Sequence, residues 1–157
     1  PENVLRFCDE AGLRRHHWSE SMPPNAWIGA SVEDQQRAEE RIPALLAVPA
    51  RVRFLSCEPL LGPLDLAPFL NAGGIHWVIV GGESGHRARS FHLDWADGIV
   101  GACKLAGVPM FVKQLGSAPV ADLLPLVLIG KKGGDIADFP VNLQVREFPL
   151  TSQEPTP

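Results

Sequence analysis

Glu58 and Lys113 are the two residues whose type and placement speak most directly of chemistry. Glu58 follows the apolar run Val52–Cys57 and Lys113 ends the run Val108–Lys113, positions where a charge is buried unless it is paired. A carboxylate and an ammonium so placed suit proton transfer or the positioning of a polar ligand. A structural ion pair between them is an equally weighted reading, since displaced charges mark sites only statistically. Gly81, Gly82, Glu83, Ser84 and Gly85 form a third element of interest. Backbone amides there could meet a phosphate or carboxylate while Glu83 grips an amine or hydroxyl. The run is not a GxGxxG, and a tight turn that needs glycine explains it as well. Arg89, a little further on, could hold an anion.

These groups need a scaffold that gathers them. Ala26–Val32, Val52–Cys57, His76–Val80 and Val108–Lys113 are short runs rich in β-branched and aromatic residues, each followed by a stretch compatible with a helix. Continuous apolar runs of this length suit strands covered on both faces, as in parallel sheets. The order predicts an α/β fold of parallel βα repeats, either an open doubly wound sheet or about half of a TIM-like (β/α)8 barrel. Both architectures place functional groups at the carboxyl ends of the strands. That rim would collect Ser31, Glu33 and Asp34 from the first strand, Glu58 from the second, Gly81, Gly82, Glu83 and Ser84 from the third, and Lys113 and Gln114 from the fourth.

Helix signals fill the intervals. Residues 31–34 have the form of a capping box led by Ser31, ahead of a charged helix over Asp34–Arg41, and Pro43 predicts a separate short helix, Pro43–Val48. Pro59 and Pro63 delay the next helix to Leu64–Leu70. Leu93–Ala106 reads as a helix ended by Gly107, although Gly98 and Gly101 each cost it up to about 1 kcal/mol relative to Ala. Glu2–Gly12 reads as an amphipathic helix. Beyond Gly116, Leu123–Ile129 and Leu143–Phe148 read as short extended segments. The domain expectation is therefore a partial barrel over 1–116, an extension over 117–149 and a disordered tail over 150–157.

Composition narrows the class. With 157 residues, 45% hydrophobic and 20% charged, the chain can bury a core without disulfides or metal staples. Its apolar runs fall far short of the roughly 20 residues that cross a bilayer, and no export signal is visible, so no membrane partner is expected. A net charge of −4 argues against a nucleic-acid footprint over the whole surface. Cys8, Cys57 and Cys103 are widely spaced, without ligand spacing, so no metal site is expected in this chain and a reducing cytoplasm fits best. Cys57 reads as an inert core thiol. Arg14, Arg15, His16 and His17 read as a solvated loop, Asp94 as a helix-dipole partner, and Trp27 and Trp77 as core. The chain opens on Pro1 and its first methionine is Met22, which suggests a lost natural start.

At Trp27–Asp34, Arg53–Gly62, Trp77–Gly85 and Phe111–Gly116, and again at residues 132–135 and 145–149, the sequence resembles a phage and bacterial family of uncharacterised proteins. Full-length members of that family look like radical S-adenosylmethionine barrels. The resemblance implies that this chain is the C-terminal portion of such a barrel. It also implies that S-adenosylmethionine and a [4Fe–4S] cluster belong to the full-length parent, whose upstream segment carries three closely spaced cysteines that are lacking here. By the same resemblance, Ser31, Glu33, Asp34, Glu58, Gly82, Glu83, Ser84, Lys113 and Gln114 line the cavity where cofactor and substrate meet. The catalytic expectation rests on Glu58, Glu83 and Lys113. Cofactor contacts fall to Gly81, Gly82 and Ser84, and substrate contacts to Ser31, Glu33, Asp34, Arg89 and Gln114. The expected partner is the missing N-terminal half of the barrel or a self-associating copy, and the substrate a small molecule or a nucleic acid. The competing expectation is a non-catalytic half-barrel that binds a partner.

Overall fold

The structure is a computed structural model that describes residues 26–128, 130 and 133–150. The expected helix Glu2–Gly12, the run Arg14–His17, Cys8 and residues 151–157 of the expected tail lie outside the described residues.

The main sheet has four parallel strands, β1 (Trp27–Ser31), β2 (Val52–Cys57), β3 (Trp77–Gly81) and β5 (Met110–Gln114), side by side in that order. The order rises along the chain without the reversal that defines a doubly wound sheet. Helices α1 (Gln35–Leu46), α2 (Ala67–Asn71) and α3 (Leu93–Ala106) form the crossovers. Crossovers of one hand running in one direction place their helices on one face of the sheet. The residues agree: Ala30, Val32, Leu55, Cys57, Val78, Val80, Met110 and Val112 share one buried core with Ala38, Ile42 and Leu45 of α1 and Ala96, Ile99, Val100 and Cys103 of α3. A second, small sheet joins β4 (Phe91–His92), β6 (Pro119–Ala121) and β7 (Leu124–Pro125). Two 3-10 turns, Ile136–Asp138 and Val141–Leu143, then lead residues 145–147 back along β5. No helix of the described residues is long and apolar enough to cross a membrane.

Three local expectations are corrected. The helix cap is Asp34, whose Oδ1 accepts from Arg37 N at 2.8 Å, and Ser31 belongs to β1 instead. Pro43 does not start a new helix; it lies inside α1. The stripe Ala38, Ile42, Leu45 continues across it fully buried, and that burial outweighs the one bond a proline removes. The helix expected at Leu64–Leu70 shortens to the five residues of α2, after a loop that carries Pro59 and Pro63. By contrast, α3 ends as expected, with Gly107 in the left-handed region at φ 66°.

Candidate functional site

Alternation along the strands turns a different set of residues to the face away from the helices. The register aligns Gly29, Phe54 and Trp77 in one row, and Ser31, Ser56, Ile79 and Phe111 in the next toward the rim. Glu58, Gly81 and Lys113 lie beyond them. The lower part of this face is aromatic. Trp77 has ring centroids 5.9 Å from Trp27, 5.9 Å from Phe54, 6.2 Å from Phe111 and 5.2 Å from Phe148. Trp27, expected in the core, is 37% exposed, and among the described residues no helix covers this side.

At the rim, Lys113 Nζ lies 3.2 Å from Glu58 Oε2. The pair spans β3, the strand between its two owners, and it passes over Gly81. A Cβ built on Gly81 would collide with Glu58 Oε1, so glycine is what lets the carboxylate lie there. Lys113 reaches this position through a β-bulge. Val80 aligns with Val112 but Gly81 aligns with Gln114, which leaves Lys113 as the extra residue. Bulges re-aim side chains in this way and are common beside functional sites. Ser56 Oγ donates to Glu58 Oε2 at 3.5 Å. The pair is asymmetric: the Glu58 side chain is 17% exposed and that of Lys113 57%, so the ammonium is the member able to swing out.

The other rim residues fall into two groups. Beside β1, Arg41 from α1 donates to Glu33 Oε2 at 3.0 Å and to Ser31 O at 2.7 Å, while Asp34 caps α1. After β3, Glu83 is fully engaged by Arg89. Its Oε2 accepts from Arg89 Nε at 2.8 Å and from Arg89 N at 3.0 Å, and its Oε1 accepts from Arg89 Nη2 at 3.1 Å. These hydrogen bonds hold the Glu83 carboxyl down to about 2. Gln114 Nε2 donates to Gly82 O and to Ser84 Oγ, both at 2.9 Å. Gly82 N donates to Gln114 O at 3.0 Å and Gly85 N to Ser117 Oγ at 3.0 Å, so two amides of the glycine loop are spent on the neighbouring chain. Gly82 is buried, and a Cβ on it would collide with Leu115 O. Close packing of two loops thus accounts for this glycine.

The sequence reading missed Ser56, Arg41 and the bulge. Period-two counting back from Glu58 through Ser56 to Phe54 would have found the serine. The bulge leaves no such trace, because nothing in the run Val108–Lys113 marks an extra residue. Cys57 and Cys103 are buried free thiols. Burial pushes Cys57 far above the usual thiol range and Cys103 up to about 12. Neither is a nucleophile or a metal ligand in this state. A cleft of about 690 Å³ lies on the helical side, between Gln35, residues 63–66 and the face of α3 that carries Trp95 and Gly98, away from the rim.

A family model described as a protein of unknown function, DUF5131, matches residues 2–138. No curated protein and no solved structure matches the chain.

Proposed function

We propose that the chain, which belongs to the DUF5131 family of proteins of unknown function, is the later half of a barrel-type enzyme resembling radical S-adenosylmethionine proteins. It supplies the rim that positions the substrate. The observation that carries this reading is the Glu58–Lys113 bridge across Gly81. A bulge, a missing side chain and an adjacent serine all serve one carboxylate–ammonium contact at the carboxyl ends of parallel strands, where barrel enzymes keep their chemistry. The sequential strand order supports the barrel part of the reading.

In this reading Lys113, the more exposed partner, swings from Glu58 to an anionic or carbonyl oxygen of the ligand. Glu58 is then released to accept a hydrogen bond, or a proton, from an amine or hydroxyl of the same ligand, with Ser56 holding its other side. Glu83 has a different role. Its carboxylate is committed to Arg89, so it shapes the loop beside the pocket, and a ligand amine would have to displace the guanidinium. The described thiols do not fit a [4Fe–4S] cluster, which needs closely spaced, accessible thiolates. In this reading any cluster and cofactor are held by other parts of the full-length parent, and no step is assigned to them.

The test joins this chain to the coding sequence that precedes it and reconstitutes the product with iron and sulfide. Cluster formation and release of deoxyadenosine from S-adenosylmethionine are expected. Glu58→Gln and Lys113→Met should keep the cluster and lose substrate turnover. Absence of both cluster and cofactor binding in the joined protein overturns the enzyme reading and leaves a half-barrel that binds a partner.

A further inference from the structure

The ion pair at the rim leaves hydrogen-bonding capacity unused on both of its members. Glu58 Oε2 accepts from Ser56 Oγ at 3.5 Å and from Lys113 Nζ at 3.2 Å, while Glu58 Oε1 accepts nothing among the described residues. Lys113 Nζ carries three protons and gives one to Glu58, so two remain. The spare acceptor has a defined place. A Cβ built on Gly81 would collide with Oε1, which puts that oxygen over the glycine, on the face away from the helices. One alternation back toward the amino ends, on the same face, stand Ile79 of β3 and its register partner Phe111 of β5, apolar and half-buried.

The charges of the pair decide what can use these groups. An anion that reaches Lys113 meets the Glu58 carboxylate beside it, and a cation that reaches Glu58 meets the ammonium, so a net charge of either sign gains from one member and loses to the other. An uncharged edge that offers a donor next to an acceptor gains from both, through two charge-assisted hydrogen bonds. Ile79 and Phe111 suit a flat, largely apolar body behind that edge. We infer that this corner of the rim binds a small, uncharged, planar heterocycle with a ring N–H beside a carbonyl. The N–H donates to Glu58 Oε1, the carbonyl accepts from Lys113 Nζ, and the ring rests on Ile79 and Phe111. This rests on the rim reading above and names a substrate class for it. Both contacts form with the ion pair intact, ahead of any swing of Lys113. The heterocycle arrives free and not within a nucleic-acid strand: Arg41 and Arg89, two other cations of the rim, are held by Glu33 and Glu83 at 3.0 and 2.8 Å, so a phosphate backbone would have to compete with a carboxylate at each.

The experiment titrates the full chain with uracil, uridine, 3-methyluridine, adenosine and a short oligouridylate, and follows the backbone amide resonances of Ser56, Gly81 and Lys113. Uracil and uridine should shift all three. 3-Methyluridine keeps its carbonyls but has no ring N–H, and adenosine has no carbonyl; each should bind about 10-fold or more weakly than uridine, the cost of one hydrogen bond to a charged group. Lys113→Met should weaken uridine by about 10-fold and leave its advantage over 3-methyluridine in place, whereas Glu58→Gln should shrink that advantage to about 3-fold or less. A merely structural role for the pair would move both nucleosides equally. Equal affinity of the unmodified chain for uridine and 3-methyluridine, or for uridine and adenosine, overturns the inference, because the ring alone would then account for binding. Absence of shifts at Ser56, Gly81 and Lys113 with uracil and uridine overturns it too. Oligouridylate binding more than about 10-fold tighter per base than uridine overturns the assignment to a free heterocycle. Uridine binding of the expected selectivity without cluster formation in the joined protein rejects the enzyme reading alone. Cluster formation and deoxyadenosine release, with uridine bound no better than 3-methyluridine, reject this inference alone.

Discussion

The two faces of the main sheet are made from alternate residues of the same four strands, yet they obey different rules. Toward the helices stand Ala30, Leu55, Val78, Val80 and Val112, all buried and all apolar. Toward the other side stand Trp27, Phe54 and Trp77, then a mixed row of Ser31, Ser56, Ile79 and Phe111, then Glu58 and Lys113. The first face is uniform because burial against α1 and α3 tolerates nothing polar without a partner. The second is graded, aromatic at the amino ends of the strands and charged at the carboxyl ends. The gradient follows from exposure: the rings at the amino ends pack on one another, while the charged groups at the carboxyl ends stand where solvent reaches Lys113.

That contrast can be broken most forcefully on the covered face. Leu55→Ala should lower stability by about 2–5 kcal/mol, while Ser56→Ala, one residue along on the open face, should stay within about 1 kcal/mol. Urea midpoints report both, and equal losses would erase the distinction. Next in size comes Gly82→Ala. Its Cβ meets the Leu115 carbonyl, which is backbone and cannot swing aside, so about 1–3 kcal/mol is expected. Gly98→Ala in α3 is the control of opposite sign. Nothing lies within 4 Å of its Cβ, and it should gain up to about 1 kcal/mol of helix stability.

The open face sharpens the contrast at smaller amplitude. Lys113→Met should cost about 1–2 kcal/mol, because the ammonium it removes is exposed but the Glu58 carboxylate it leaves without that partner is only 17% exposed. Gly81→Ala should displace the mobile end of Glu58, and the Lys113 ammonium should then label faster with an amine reagent at fixed pH. Unchanged labelling would mean that the pair does not depend on the glycine. The slightest effect is confined to acid. Glu83 is held at about 2, below the usual 4.5, so its contribution is present above 4.5 and is lost as pH falls from there through 2. Glu83→Gln should flatten that part of the acid limb and leave stability at pH 7–9 parallel to that of the parent.

The covered face was nearly legible in the sequence, and the open face only in part. Val52–Cys57 matches β2 residue for residue, and Leu93–Ala106 matches α3, because buried apolar runs and a terminal glycine are local signals. Glu58 and Lys113 stood out for the same reason, as charges at the ends of such runs. Their meeting across Gly81 depends on strand order and on a bulge, both products of long-range pairing that no local pattern carries. Pro43 misled because a local rule for proline lost to a buried stripe that crosses it. Leu143–Phe148 was read as extended, and residues 145–147 do pair with β5, but the edge they choose could not be seen before the sheet was assembled.

The pairing of residues 145–147 along β5 also sets a schedule for synthesis. Glu147 follows Met110 by 37 positions, so at about 5–20 residues per second the edge of β5 waits about 2–7 s for its cover. Throughout that interval Met110 O and Val112 N, on the edge of β5 away from β3, lack the partners that residues 145–147 bring, and the rings of Trp77 and Phe111 lack Phe148.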